Sequence, residues 1–167
     1  MKRKIILVLF CIVAAAVSTQ AQEVTVKSPS TDLKVEFKRC IANDDMAFID
    51  ILITNKSNRD TKIDCRDWIT VYDDEGNVYG NKNLDIGKYN VYIATSSTDN
   101  QPLNSRIEIP AGIAYKVRII MLGGFDKYAT IVKLLKIEFA WNVFDTKISG
   151  SWVNDAIELR EIPITRE

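Results

Sequence analysis

Leu33-Lys34-Val35-Glu36-Phe37-Lys38, followed after a turn by Ala47-Phe48-Ile49-Asp50-Ile51-Leu52-Ile53-Thr54, decides how this chain is read. Side chains of an extended chain point alternately to two faces, so period-two apolarity marks a strand with one face in a core. The first segment alternates Leu, Val and Phe with Lys and Glu. The second keeps Ala47, Ile49, Ile51 and Ile53 on one face and adds Phe48 and Leu52 on the other, as a central strand would. Asp50 stands out there. A buried carboxylate at that position would have a raised pKa, and parity assigns it instead to the outward side of a half-exposed strand. Asn43-Asp44-Asp45 is turn chemistry between the two strands. Strict parity would turn Cys40 to solvent, but the consecutive polar pair Lys38-Arg39 fits a β-bulge that returns Cys40 to the core face.

The same period continues outward in both directions. Val24 and Val26 begin a short extended piece ahead of Pro29. After the turn from Asn55 to Asp60, Ile63, Cys65, Trp68, Ile69 and Val71 mark a third strand region broken near Arg66-Asp67. Asp73-Asp74-Glu75-Gly76-Asn77 then joins Val71-Tyr72 to Val78-Tyr79 as a hairpin loop, with Gly supplying the positive φ. Leu103, Ile107 and Ile109 lead through Pro110-Ala111-Gly112 into Tyr115, Val117, Ile119 and Met121, a second hairpin. Tyr128, Ile131, Val132 and Leu135 fall at helical spacing after a cap at Asp126, which predicts at most one short helical turn. Leu135 to Trp141 and Trp152 to Ile164 supply the last strands, the latter with a break near Glu161-Ile162. Eight or nine short antiparallel strands with a turn every dozen residues predict an all-β, two-sheet sandwich. A closed barrel alternates in the same way and stays open as the alternative.

The N-terminus reads differently. Lys2-Arg3-Lys4, thirteen apolar residues from Ile5 to Val17, and Ser18-Thr19-Gln20-Ala21-Gln22 follow the order of a secretory signal peptide. Cleavage is expected after Ala21, leaving residues 22–167 as one domain. The apolar run is shorter than the roughly 20 residues of a membrane-spanning helix, so no span is expected after cleavage. The remaining chain carries 19 basic and 22 acidic residues, a net of −3, without the basic excess of a nucleic-acid or anionic-membrane surface. Its two cysteines, Cys40 and Cys65, form an even pair in an exported chain, which predicts a disulfide, with two buried free thiols as the alternative. Closing that loop would stabilise by roughly 3.5 kcal/mol.

Ile49-Asp50-Ile51-Leu52-Ile53-Thr54-Asn55-Lys56-Ser57, the Asp73 to Tyr79 hairpin and Ile109-Pro110-Ala111-Gly112 leading into Tyr115-Lys116-Val117-Arg118-Ile119 occur in a recognisable order. Over Leu33 to Trp141 the chain resembles the small extracytoplasmic immunoglobulin-like domains of bacteria. The resemblance implies an immunoglobulin-like sandwich that binds or builds, exported to the periplasm or beyond, with no catalytic residue to carry over.

Composition narrows the chemistry. The chain has no histidine, which removes Ser-His-Asp triads, Cys-His dyads and imidazole metal sites. The acidic run from Asp73 misses a calcium-loop pattern, with Val78 at its sixth and Leu84 at its twelfth position, and reads as a solvated hairpin tip. No G-x-S-x-G elbow is present. Trp68, Trp141 and Trp152 are assigned to the core or its rim. A binding surface is expected in the polar stretch from Tyr79 to Gln101, where Tyr79, Tyr89 and Tyr92 alternate with Asn81, Asn83, Asn90, Ser96 and Ser97. The expected protein is thus a non-enzymatic envelope module, without metal or cofactor, that binds a protein or glycan partner. Two alternatives are a carbohydrate-active enzyme using paired carboxylates and a structural subunit that pairs through an edge strand.

Overall fold

The computed structural model describes residues 23–80, 91–94, 106–143 and 153–167. The side chains at 64–68, 92, 94, 106–107, 140–143 and 153–154 lie outside that description. Eleven strands occur among the described residues: β1 (Thr25–Lys27), β2 (Leu33–Ala42), β3 (Met46–Asn55), β4 (Thr61–Asp73), β5 (Val78–Gly80), β6 (Val91–Ala94), β7 (Arg106–Ile109), β8 (Ala114–Leu122), β9 (Ile131–Val143), β10 (Val153–Pro163) and β11 (Thr165–Arg166). Eleven exceeds the expected eight or nine; β1 and β5 coincide with the Val24-Val26 piece and the Val78-Tyr79 arm of the hairpin, while β11, two residues past Pro163, is too short to show a period.

These strands form two sheets. The first runs β1-β10-β9-β4-β5, with β7 also on β4, and the second runs β11-β2-β3-β8-β6. Every pairing is antiparallel except β11 with β2. No described strand pairs across the two sheets, so the architecture is a sandwich and not a closed barrel. In sequence order, β2-β3-β8-β6 is the A-B-E-D sheet of an immunoglobulin domain and β10-β9-β4-β5 its G-F-C-C′ sheet. The fold is an all-β, immunoglobulin-like sandwich.

Alternation fills the space between the sheets. Ala47, Ile49, Ile51 and Ile53 of β3 pack with Val117, Ile119 and Met121 of β8 against Ile69, Val71, Leu135, Ile137, Ile157 and Leu159 of the opposite sheet. The bulge in β2 is present. Its register shifts between Phe37 and Arg39, leaving Lys38 as the extra residue, and the inward set changes from Leu33 and Val35 to Cys40 and Ala42. β4 shifts register between Asp64 and Trp68, where the break was expected. In β10, Glu161 has φ 58 and the inward set moves from Leu159 to Ile162. Past Pro163 the chain leaves the first sheet and β11 joins the second.

The segment after Asp126 stays within the expected limit of at most one short helical turn. No helical turn forms after Asp126: its carbonyl accepts from the Ala129 N–H at 3.0 Å and its carboxylate from the Tyr128 N–H at 2.9 Å, a single β-turn, and β9 begins at Ile131. Ile131, Val132 and Leu135 mimic helical spacing because the pairing of β9 with β4 shifts between Asp73 and Tyr72, so the apolar set skips a residue. Of the expected Cys40–Cys65 pair, Cys40 is a buried free thiol on β2, and Cys65 lies on β4 in the facing sheet. The side chain of Cys65 lies outside the described residues. Burial pushes the Cys40 thiol up to about 12, against a smaller opposing pull from Arg166.

Candidate binding surface

The residue that parity set apart organises the outer face of the second sheet. Asp50 points away from the core, as expected, yet only 1% of it is exposed. Register explains its cover. Arg39 on β2 and Arg118 on β8 are its cross-strand neighbours on either side. The bulge places the first of these, because an unbroken ladder from Phe37 opposite Ile51 would bring Lys38 opposite Asp50. Arg39 Nε donates to Oδ2 at 2.8 Å, while Arg118 donates from Nε to Oδ1 at 2.6 Å and from Nη2 to Oδ2 at 3.0 Å. Lys116 Nζ stands 3.3 Å from Oδ2. Burial by itself would raise the pKa, but the hydrogen bonds from Arg118 and Arg39, the charge of Arg118 and the contact with Lys116 outweigh it. Asp50 is therefore held well below the usual carboxylate range, and is not the proton donor that a buried acid among isoleucines would have been.

Toward the Met46 end the same face turns apolar. Phe48 lies between Ile41 and Ile120 in register, and Met46 lies opposite Leu122. The Arg118 guanidinium carbon sits 5.2 Å from the Phe48 ring centroid, within cation–π range. Ile120 is buried apart from the core cluster, and Leu122 remains 38% exposed. A cleft of about 200 Å³ opens here, lined by Arg39, Ile41, Asn43, Met46, Phe48, Arg118 and Glu167. A broader cleft of about 630 Å³ lies where β1 leads into β2, and its Ser28 hydroxyl is spent on the carbonyls of Ser30 and Leu33.

Of the predicted tyrosine surface, only Tyr79 has its side chain among the described residues. Tyr79 is 1% exposed, a correction to its assignment as a ligand contact. Its hydroxyl donates to Asp73 Oδ2 at 2.7 Å and accepts from the Asp126 N–H at 3.0 Å, and its ring meets Phe125 edge-on at 5.4 Å. As the middle residue of β5 beside β4 it points inward, and the 123–130 turn closes over it. Tyr89 lies outside the described residues. Tyr92 is on β6, opposite Ile120, and its side chain lies outside them too. The same holds for the side chains of Trp68 and Trp141 and for Trp152 altogether.

The hairpin tip is also not simply solvated. Asp73 is 3% exposed and its Oδ1 accepts from the amides of Glu75 and Asn77, while Oδ2 accepts from Asn77 Nδ2 and Tyr79. Four donors fill the lone-pair positions of one carboxylate, which leaves none for a cation. Asp74 accepts from the amides of Thr130 and Ile131 and from the Thr130 hydroxyl. Burial opposes these bonds, but they prevail and hold its carboxyl below the ordinary value. Among the described residues no group of three or more His, Cys, Asp and Glu stands ready for a metal ion. Among the described residues the buried carboxylates are Asp50 and Asp73, and hydrogen-bond donors occupy both.

Asn55 is a buried residue whose role the sequence reading did not identify. Its Nδ2 donates to the carbonyls of Arg59 and Ile109 at 2.7 and 2.9 Å, and its Oδ1 accepts from the amide and hydroxyl of Ser57. The Thr-Asn-Lys-Ser run was the available signal, an Asx turn that also reaches across 54 residues to β7.

No family model matches the chain, and no curated protein matches it in sequence. Similar solved structures include a structural-genomics target designated SoR45, 14% identical with a TM-score of 0.47 over 79% of this chain and 86% of that one. Another is an ASH / PapD-like domain of human CEP192 (PapD-like domain 7), 12% identical with a TM-score of 0.42 over 84% and 89%.

Proposed function

We propose that this chain is an exported, non-enzymatic binding module of the cell envelope, and that it presents the outer face of its second sheet to a protein or glycan partner. The supporting observation is the juxtaposition on β2, β3 and β8 of a half-buried aromatic and aliphatic strip with two guanidinium groups anchored by Asp50. Aromatic side chains, Met and Arg are the residues enriched at protein interfaces, and a sheet face holds them rigidly. The leader sequence supports export, and the periplasm is the expected destination.

Capture of envelope proteins and a glycan array, both run with the chain from Gln22 onward, test this reading. A partner that binds the wild type and is lost with Phe48→Ala, while the variant stays folded, is the expected result. Equal binding by the variant would overturn the assignment of the face. Amino-terminal sequencing of protein recovered from the envelope fraction should begin at Gln22; an intact Met1 would overturn export by cleavage.

One observation favours a second reading, a subunit that pairs by strand addition. Among the described strands β2 pairs on its outer side with β11 alone, at Ile41 and Ala42, so Leu33 to Cys40 form an edge. That edge carries a bulge, Lys34 and Lys38, features that discourage open-ended pairing. Concentration-independent monomer mass in sedimentation would weigh against this reading.

A further inference from the structure

The cleft at the Met46 end of the outer face has walls of two kinds. Ile41, Met46 and Phe48 make it apolar, and Arg39 and Arg118 make it cationic. Asp50 orients both arginines but does not exhaust them. Arg39 spends only Nε on it, and Arg118 spends Nε and Nη2. Both terminal nitrogens of Arg39 and Nη1 of Arg118 make no hydrogen bond among the described residues. The charges do not cancel either, since Arg39, Lys116 and Arg118 surround one carboxylate. About 200 Å³ is below the roughly 300–1,000 Å³ usual for a drug-sized ligand and suits a single residue or a small organic acid.

We propose that this cleft binds a carboxylate carried on an apolar body, the charge on Arg39 and Arg118 and the body against Ile41, Met46 and Phe48. The inference deepens the binding-module reading and rests on it. A planar guanidinium fork whose orientation is already fixed matches carboxylate geometry and loses little side-chain freedom on binding. The apolar wall selects against bare inorganic anions, which would leave it wet. Glu167 also lines the cleft, held by its N–H on the Ala42 carbonyl at 3.0 Å. Its negative charge competes with the incoming acid.

NMR titration of the chain from Gln22 tests this with phenylacetate, its neutral isostere phenylacetamide, and a capped Leu-Glu dipeptide. The expected result is saturable shifts at Ile41, Met46, Phe48 and the Arg39 and Arg118 Nε–H signals, with the amide bound at least about tenfold more weakly than the acid. Arg39→Gln should weaken phenylacetate about tenfold, Arg39→Lys should recover only part of that, and Glu167→Gln should tighten it. Arg39 is half exposed and Asp50 keeps two other cations without it, so the variant retains its fold; Glu167→Gln tests the charge term independently. Tighter binding of the dipeptide would identify an acidic peptide as the source, and tighter binding of phenylacetate a free acid. Equal affinity for acid and amide, no effect of either substitution, or no saturable shift would overturn the proposal. Partner capture is read separately, so a partner that still binds would show that the cleft alone had failed.

Discussion

Asp50 is charged, buried and outward-facing at once, three properties that coexist because its neighbours on both strands are arginines. Breaking a buried ion pair by removing one partner costs about 3–5 kcal/mol, since it strands the remaining charge. Here the cations left behind are partly exposed, with side-chain exposure of 53, 52 and 26% for Arg39, Lys116 and Arg118, so Asp50→Ala is expected to cost about 2–3 kcal/mol in urea denaturation. The sign with pH follows from its depressed native pKa. The carboxylate contributes its full stability above the ordinary aspartate value of 3.8 and loses it as pH falls from there through the lower native value. The gap between wild type and Asp50→Asn should therefore be constant near neutrality and narrow in acid; a gap that widens below 3.8 would contradict the paired carboxylate. Tyr79→Phe removes a donor to Asp73 and an acceptor for the Asp126 amide, both buried or nearly so. The expected loss is about 1–3 kcal/mol, measured by the same titration, and a neutral outcome would place that hydroxyl in solvent.

Among the elements, β2 shows how one extra residue sets two features. Lys38 is unpaired in the ladder, and the residues around it keep their partners, Phe37 with Ile51 and Arg39 with Asp50. Deleting Lys38 should thus leave Cys40 opposite Ile49 and inward, where a deletion in an unbulged core strand would turn one half of the strand inside out. A folded deletion variant with Cys40 still protected is the expected outcome; an unfolded one would show that the bulge supplies needed twist. The turn between β8 and β9 makes the complementary case. Gly124 has φ +66, and a Cβ there would lie 2.5 Å from the Asn43 carbonyl oxygen, whereas Gly76 at φ +84 has open space around it. Gly76→Ala should cost about 1 kcal/mol from the left-handed backbone alone, and Gly124→Ala clearly more, because two backbones must separate. Similar losses in thermal melts would remove the contact from the explanation. The bulge was legible, since two polar residues in succession break a period of two. The Gly124 contact was not, because it joins Gly124 to Asn43, 81 residues earlier in the chain.

For the whole molecule, the Cys40 thiol reports on cooperativity. It is 2% exposed and its pKa is pushed up to about 12 by burial, so alkylation at pH 8 should be slow in the folded protein and fast in denaturant. In between, a rate that tracks global unfolding would show that the β2 edge opens only with the whole molecule, and a faster one that the edge frays first. Fast labelling of the native protein would contradict the packing, and no labelling in denaturant without reductant would mean that the thiol is bridged. The sequence by itself determined the strand pattern, the bulge and the inward set of the core, because period-two apolarity is written in neighbouring residues and burial of one face follows from it. It also carried the absence of histidine chemistry. Only the tertiary structure decided what covers each outward residue. Parity says which face a side chain takes, while its neighbours on that face come from strands 11 and 68 residues away in the case of Asp50. Tyr79 became a core anchor, and Arg39, Phe48 and Arg118 a surface cleft, through register between distant strands, and no local pattern encodes that register.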